Sequence, residues 1–123
     1  MAKPFLIGLL GLAGIYGRYF LTAYAQKINL ALPVMTVAIN VIGSFLIGVV
    51  YEVGVKTALL QDMRVAIMVG LLGGFTTFSA FSLETVTLFA SGRYLFGSAY
   101  LFGSLAGGIV GCVAGIVVTR ASL

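Results

Sequence analysis

Gly70-Leu71-Leu72-Gly73-Gly74-Phe75-Thr76-Thr77-Phe78-Ser79-Ala80-Phe81-Ser82-Leu83-Glu84 lies inside a long apolar run. In hydrocarbon every backbone N–H and C=O must find a partner within the protein. A broken helix is tolerated there only where it is buried or lines a cavity. A helix-breaking glycine pair, two threonines, and then phenylalanines interleaved with serines place such a break in the middle of a span. The stretch predicts a third membrane helix interrupted near residues 73–77, with a site for an ion at the interruption.

The rest of the chain sets the context. Its 123 residues are 61% hydrophobic and 8% charged, with a mean hydropathy of +1.18. A soluble domain this short cannot bury so much apolar surface, so the bilayer acts as its solvent. Apolar segments cover residues 5–24, 32–51, 65–90 and 94–119. Each is near or above the ~20 residues a helix needs to cross a bilayer. The connectors, 26–29, 52–63 and 91–93, leave no room for a soluble domain. Residues 1–123 therefore read as a single all-α transmembrane domain of four helices, multi-pass in the cell (inner) membrane. Ala23-Tyr24-Ala25 follows an apolar run and resembles a signal-peptidase site. Arg18 interrupts that run, and the first segment is read as a true span.

Composition also excludes several functions. There is no histidine and a single cysteine, Cys112, inside an apolar stretch. Transition-metal chemistry and acid–base catalysis lack residues, so the chain does not read as an enzyme. The net charge of +4 is spread over chain ends and loops without a basic run, and no nucleic-acid partner is expected. Gly103, Gly107, Gly111 and Gly115 recur at intervals of four, a stripe suited to close helix packing.

Four spans put both termini on one side of the membrane. That side carries Lys3, Lys56, Arg64 and Arg120; the other carries Lys27 and Arg93, plus Arg18 if it reaches that surface. Orientation follows the Lys/Arg bias of short loops. A bias of one or two charges is small enough for insertion both ways and for antiparallel pairing. Such a pair would have the inverted symmetry that larger transporters build from fused repeats. A single, weakly biased orientation is the alternative.

The half-helix ending near Leu72 presents orphan carbonyls and the negative end of its dipole, which favours a cation. At a two-fold axis, two copies of the break could cage a small ion such as Na⁺ by backbone alone. Beyond the break, Phe75, Phe78 and Phe81 fall at helical spacing, with Ser82 and Thr85 each four past a phenylalanine. A ring edge is electropositive and can meet an anion without trapping it; plain packing explains the same spacing. Asn40 sits mid-span in the second helix between Thr36 and Ser44. Its amide can donate to an anion or bond a neighbouring helix. Tyr100 and Ser104 offer hydroxyls one turn apart on the fourth helix. Glu84, the one acid clearly within a span, is open to two readings: ion or proton carrier, or pore-mouth residue near Arg93.

Together these elements resemble the Fluc (CrcB) family of fluoride channels. The resemblance rests on Gly17-Arg18-Tyr19, Asn40-Val41-Ile42-Gly43, the run Gly73-Gly74-Phe75-Thr76-Thr77-Phe78-Ser79-Ala80-Phe81-Ser82, and Tyr100 with Ser104. It covers essentially the whole chain. It implies a dual-topology antiparallel homodimer with two fluoride pores, exporting fluoride passively. Phe78 and Phe81 match the paired pore phenylalanines, Asn40 the pore asparagine, and Tyr100 and Ser104 the start of a hydroxyl track. Thr36 and Ser82 complete the expected pore set. Gly73 and Thr76 match the residues whose carbonyls hold a structural Na⁺ at the dimer axis. One departure is Gly108, where the track often continues with another hydroxyl. Small multidrug exporters, coupled transporters that are also four-span dual-topology dimers, are the alternative. They use a membrane-embedded glutamate on the first helix, whereas this chain has no acid before Glu52.

Overall fold

A computed structural model of the chain describes residues 2–58 and 61–123. Helix α1 spans Ala2–Lys27 and α2 spans Leu32–Lys56. Helix α3 opens at Gln61–Val65, widens into a π-helical segment at Ala66–Leu72, and closes with a last α turn at Gly73–Phe75. After Thr76 and Thr77, α4 runs over Phe78–Ala90 and α5 over Tyr94–Ser122. The stretch from Gln61 to Ala90 acts as one span, so four spans are long and apolar enough to cross a membrane.

The turns are set by left-handed residues. Asn29 has φ 57° and Gly92 φ 77°. Leu30 N donates to Ala25 O and Arg93 N to Leu88 O, which closes α1 and α4 as Schellman motifs and satisfies their last carbonyls. Pro33 lies at the start of α2, where a missing N–H is harmless.

Packing follows the small residues. Helix α1 lies directly on α3: a Cβ on Gly14 would overlap the Leu71 carbonyl, and one on Gly74 would come within 2.7 Å of Gly11 O. Helix α5 lies along α2 in the same manner, with Gly107 and Gly111 against Val41 and Gly115 against Phe45. Gly103, expected on the same stripe, meets nothing within 4 Å. The close α2–α5 contact therefore covers three of the four glycines.

Two features differ from the sequence reading. Helix α2 does not stop at residue 51 but runs on to Lys56. Glu52, placed in a connector, is 2% exposed, and Arg120 Nε and Nη2 donate to its two carboxyl oxygens at 3.0 and 3.1 Å. Lys56 Nζ reaches back to the Arg120 carbonyl at 2.8 Å. Charges paired in this way let a helix continue past its apolar stretch. Of the connector assigned to residues 52–63, Leu59 and Leu60 lie outside the described residues.

The second difference concerns Arg18. Its Nε donates to Gly74 O at 3.3 Å, beside the third span rather than in a loop, so it does not count among the loop charges. Lys3 pairs with Asp62 at 3.4 Å, which ties the start of α1 to the start of α3. The loop and terminal charges are thus Lys3, Lys56, Arg64 and Arg120 at one end and Lys27 and Arg93 at the other.

Candidate functional site

The break is built by two adjacent threonines with opposite duties. Thr76 ends α3: its N–H and its hydroxyl both donate to Leu72 O at 3.0 Å. Its own backbone turns to φ −81°, ψ 160°, outside the helical region. Thr77, at φ −148° and ψ 123°, opens α4, and its hydroxyl oxygen accepts from Ala80 N at 3.2 Å. This is an N-cap, which satisfies one of the donors a new helix leaves orphaned.

The glycine pair is not itself the interruption. Gly73 has helical angles, φ −63° and ψ −37°, and Gly74 lies in the same turn. Its absent side chain lets α1 approach, and the chain leaves the helix two residues later than the glycine pair suggests.

Asn40 supports the break from α2. Its Nδ2 donates to Thr77 O at 2.9 Å, and Thr77 N donates to its Oδ1 at 2.8 Å. Both peptide groups that Thr77 removes from helical bonding are thereby satisfied, as a span in hydrocarbon requires. One Nδ2 hydrogen remains for another acceptor.

Phe75 does not share a face with Phe78 and Phe81, because the break separates them. It packs beside Gly17 and Gly43 instead. Phe78 and Phe81 remain a pair, with ring centroids 5.6 Å apart, and Phe81 continues to Tyr100 at 5.4 Å. Phe81 is buried while Phe78 is 75% exposed on the single chain.

Asn40, Thr76, Thr77, Phe78, Phe81 and Ser104 line a groove of about 310 Å³, together with Ser44, Gly73 and Gly108. No Lys, Arg, Asp or Glu lines it. The Ser104 hydroxyl is buried there without a hydrogen-bond partner. Buried polar atoms are normally satisfied, so this hydroxyl is left free to donate to an acceptor in the groove.

The remaining expected residues are placed differently. Thr36 Oγ1 donates to Glu84 Oε1 at 2.9 Å, and Tyr100 OH donates to Glu84 Oε2 in a short bond. The two hydroxyls therefore converge on one carboxyl group supplied by α4. Glu84 has these hydroxyls as partners rather than Arg93, whose guanidinium stacks on Phe96 at 4.6 Å. Ser82 spends its proton on its own helix, donating to Phe78 O at 2.9 Å. The structure thus brings Asn40, Phe78, Phe81 and Ser104 together at the groove. Thr36 and Tyr100 form an adjoining cluster around Glu84, and Ser82 belongs to neither.

Gly73 and Thr76 also border the groove. Among the described residues, no hydrogen bond is donated to either carbonyl. No group of three or more His, Cys, Asp or Glu side chains among the described residues could hold a metal.

The family described as "CrcB-like protein, Camphor Resistance (CrcB)" matches residues 5–116. The chain belongs to the CrcB family. Relatives along the full length agree. A protein of Chlorobium chlorochromatii is 37% identical over 120 residues, 97% of this chain and 93% of its own. One from Geobacter sulfurreducens is 40% identical over 116 residues, 93% of this chain and 94% of its own. One from Chlorobaculum tepidum is 37% identical, covering 98% of this chain and 96% of its own. Each is named "Fluoride-specific ion channel FluC". The matches of this CrcB chain cover 93–96% of the length of those relatives.

Proposed function

We propose that this CrcB protein is a channel for passive fluoride export across the cell membrane. The observation that carries the reading is the buried, unpartnered Ser104 hydroxyl in a groove walled by Asn40, Phe78 and Phe81. Bringing an isolated ion into an apolar medium costs on the order of tens of kcal/mol. A conduction path must replace the hydration shell and yet release the ion. Hydroxyl and amide hydrogens with two aromatic edges supply donors without a fixed positive charge that would hold the anion. The names of the relatives supply the identity of that anion. Fluoride efflux from liposomes, measured against chloride, tests the reading. Fast, fluoride-selective efflux is expected, and equal leakage of both ions would overturn it.

The groove is open along one side of a single chain, and Phe78 at its edge is exposed. A second copy in inverted orientation would close it, giving two equivalent pores per antiparallel homodimer. The small charge bias, four loop cations against two, supports this assembly. A C-terminal tag mapped in intact cells should be accessible from both sides of the membrane in comparable amounts. A functional protein with its tag on one side only rules out dual topology.

Phe78→Ile and Phe81→Ile test the ring edges. Each swap roughly keeps volume, so the packing loss should stay modest. Taking about 0.5–1.5 kcal/mol for an aromatic edge contact as the scale, each variant should lower fluoride flux by roughly two- to twelvefold with the dimer intact on size-exclusion chromatography. Flux near wild type in both would leave the rings a packing role only.

The same dimer would bring two copies of the break together. Gly73 and Thr76 carbonyls from each subunit fit a small hard cation, since they are oxygen ligands without another donor. A bound Na⁺ would neutralise the negative ends of two half-helices and join the subunits.

A further inference from the structure

Ser44 lies one turn beyond Asn40 on α2 and lines the same groove as Ser104. Serine and threonine in membrane helices commonly return their proton to the carbonyl four residues back. Ser82, Thr85 and Ser122 do so here. Ser44 and Ser104 make no hydrogen bond among the described residues. Both hydroxyls are therefore free to donate into the groove.

The two serines come from different helices, and Gly108 shows how they relate. It stands one turn past Ser104 on α5 and lines the groove too. A Cβ built on Gly108 would lie 3.5 Å from Ser44 Oγ, an ordinary contact. The Ser44 hydroxyl thus occupies the space a side chain at position 108 would point toward. On α5 alone the donor row ends at Ser104; in space it continues through the hydroxyl of α2.

We propose that Ser44 is a further hydroxyl donor to the permeating anion, taking over from Ser104 at the point where Gly108 offers none. The proposal rests on the fluoride-channel reading above. Ile47, Met68, Leu72 and Leu105 also line the groove, and their side chains offer an anion no donor. A donor at Ser44 reduces that dry wall, and the glycine keeps the path open for it.

The test is fluoride efflux from liposomes with four proteins: the parent chain, Ser44→Ala, Ser44→Ala with Gly108→Ser, and Ser44→Ala with Gly103→Ser. Alanine keeps the local volume, and size-exclusion chromatography checks that each variant elutes like the parent. Ser44→Ala should reduce flux by about tenfold or more, the size expected for losing a hydrogen bond to a charged species. Gly108→Ser should restore it to within about threefold of the parent, because it returns a hydroxyl to the same space. Gly103→Ser should not, since Gly103 lies outside the groove wall. A parent chain without fluoride flux would defeat the channel reading itself. With an active parent, unchanged flux in Ser44→Ala would overturn the proposal. So would a loss that Gly108→Ser fails to rescue, because Ser44 would then act through packing rather than through its proton.

Discussion

Asn40→Asp should abolish fluoride flux. The substitution keeps the shape of the side chain and replaces its NH₂ by an oxygen. In the structure that NH₂ faces Thr77 O at 2.9 Å, so an ionised aspartate would set oxygen against oxygen at the break. Its other oxygen would still accept from Thr77 N, now at 2.8 Å in the wild type. The carboxylate would be held in place, with its charge beside the groove. A second negative charge about 4 Å away costs on the order of 4 kcal/mol at an effective dielectric of ~20, close to a thousandfold in occupancy. Asn40→Ser should retain some flux, because a hydroxyl can still donate, although it cannot span both Thr77 groups. Asn40→Leu separates the two contributions. It removes the clamp and adds no charge, leaving a buried N–H unsatisfied at about 1–3 kcal/mol. Flux measured in liposomes should fall in the order Asn40, Ser, Leu, Asp. Normal flux in the Asp variant, with the carboxylate shown to be ionised by its infrared band, would exclude a direct role for Asn40 beside the anion.

The fold was largely legible because the signals that specify it are local and additive. A span needs about 20 apolar residues in a row, and each of the four declares itself without reference to the others. The interruption was legible for a related reason, since two threonines after a glycine pair are poor helix interior. Its register was not legible. The pair Gly73-Gly74 reads as the breaker, yet both glycines are helical and the departure comes at Thr76. What glycine supplies here is access for α1, and that is a property of two helices together. Phe75 was misread for the same reason. Counting i, i+3, i+6 assumes one continuous helix, and two extended residues reset the phase.

The contacts around Glu84 lay further out of reach. Thr36 is 48 residues from it and Tyr100 is 16, and each sits on another helix. Periodicity relates residues on one helix and says nothing about which faces of two helices meet. Glu52 was hidden by the converse problem. A lone acid at the end of an apolar run looks like the start of a loop. Only the partner 68 positions away, Arg120, makes it a buried residue of α2. Asn40, by contrast, could be singled out from residue type alone. An amide in the middle of a span has to be satisfied by something, and here the break satisfies two of its groups while one hydrogen stays free.

Thr76→Pro should destroy both the proposed cation site and the proposed dimer, whereas Thr76→Ser should preserve them. Thr76 N and Oγ1 both close α3 on the Leu72 carbonyl at 3.0 Å. Proline removes both donors. Its ring also disfavours the helical conformation of Phe75, the residue before it. The last turn of α3 would unwind, and the Gly73 and Thr76 carbonyls would lose their common direction. Serine keeps the N–H, the hydroxyl and the backbone, so its carbonyl remains a ligand. It loses only the methyl group, which now rests against Gly43. Two carbonyls from one chain are too few for a hard cation, but four from an inverted pair suit Na⁺, at oxygen distances of roughly 2.0–2.6 Å. Because the ion would lie between subunits, its removal should register in assembly as well as in flux. Replacing Na⁺ by N-methylglucamine should lower the thermal midpoint of dimer dissociation and reduce fluoride efflux in the parent and in Thr76→Ser. Thr76→Pro should elute as monomer or aggregate in either salt. If the parent dimer keeps the same midpoint and the same efflux with Na⁺ replaced, the carbonyls at the break do not hold a structural cation.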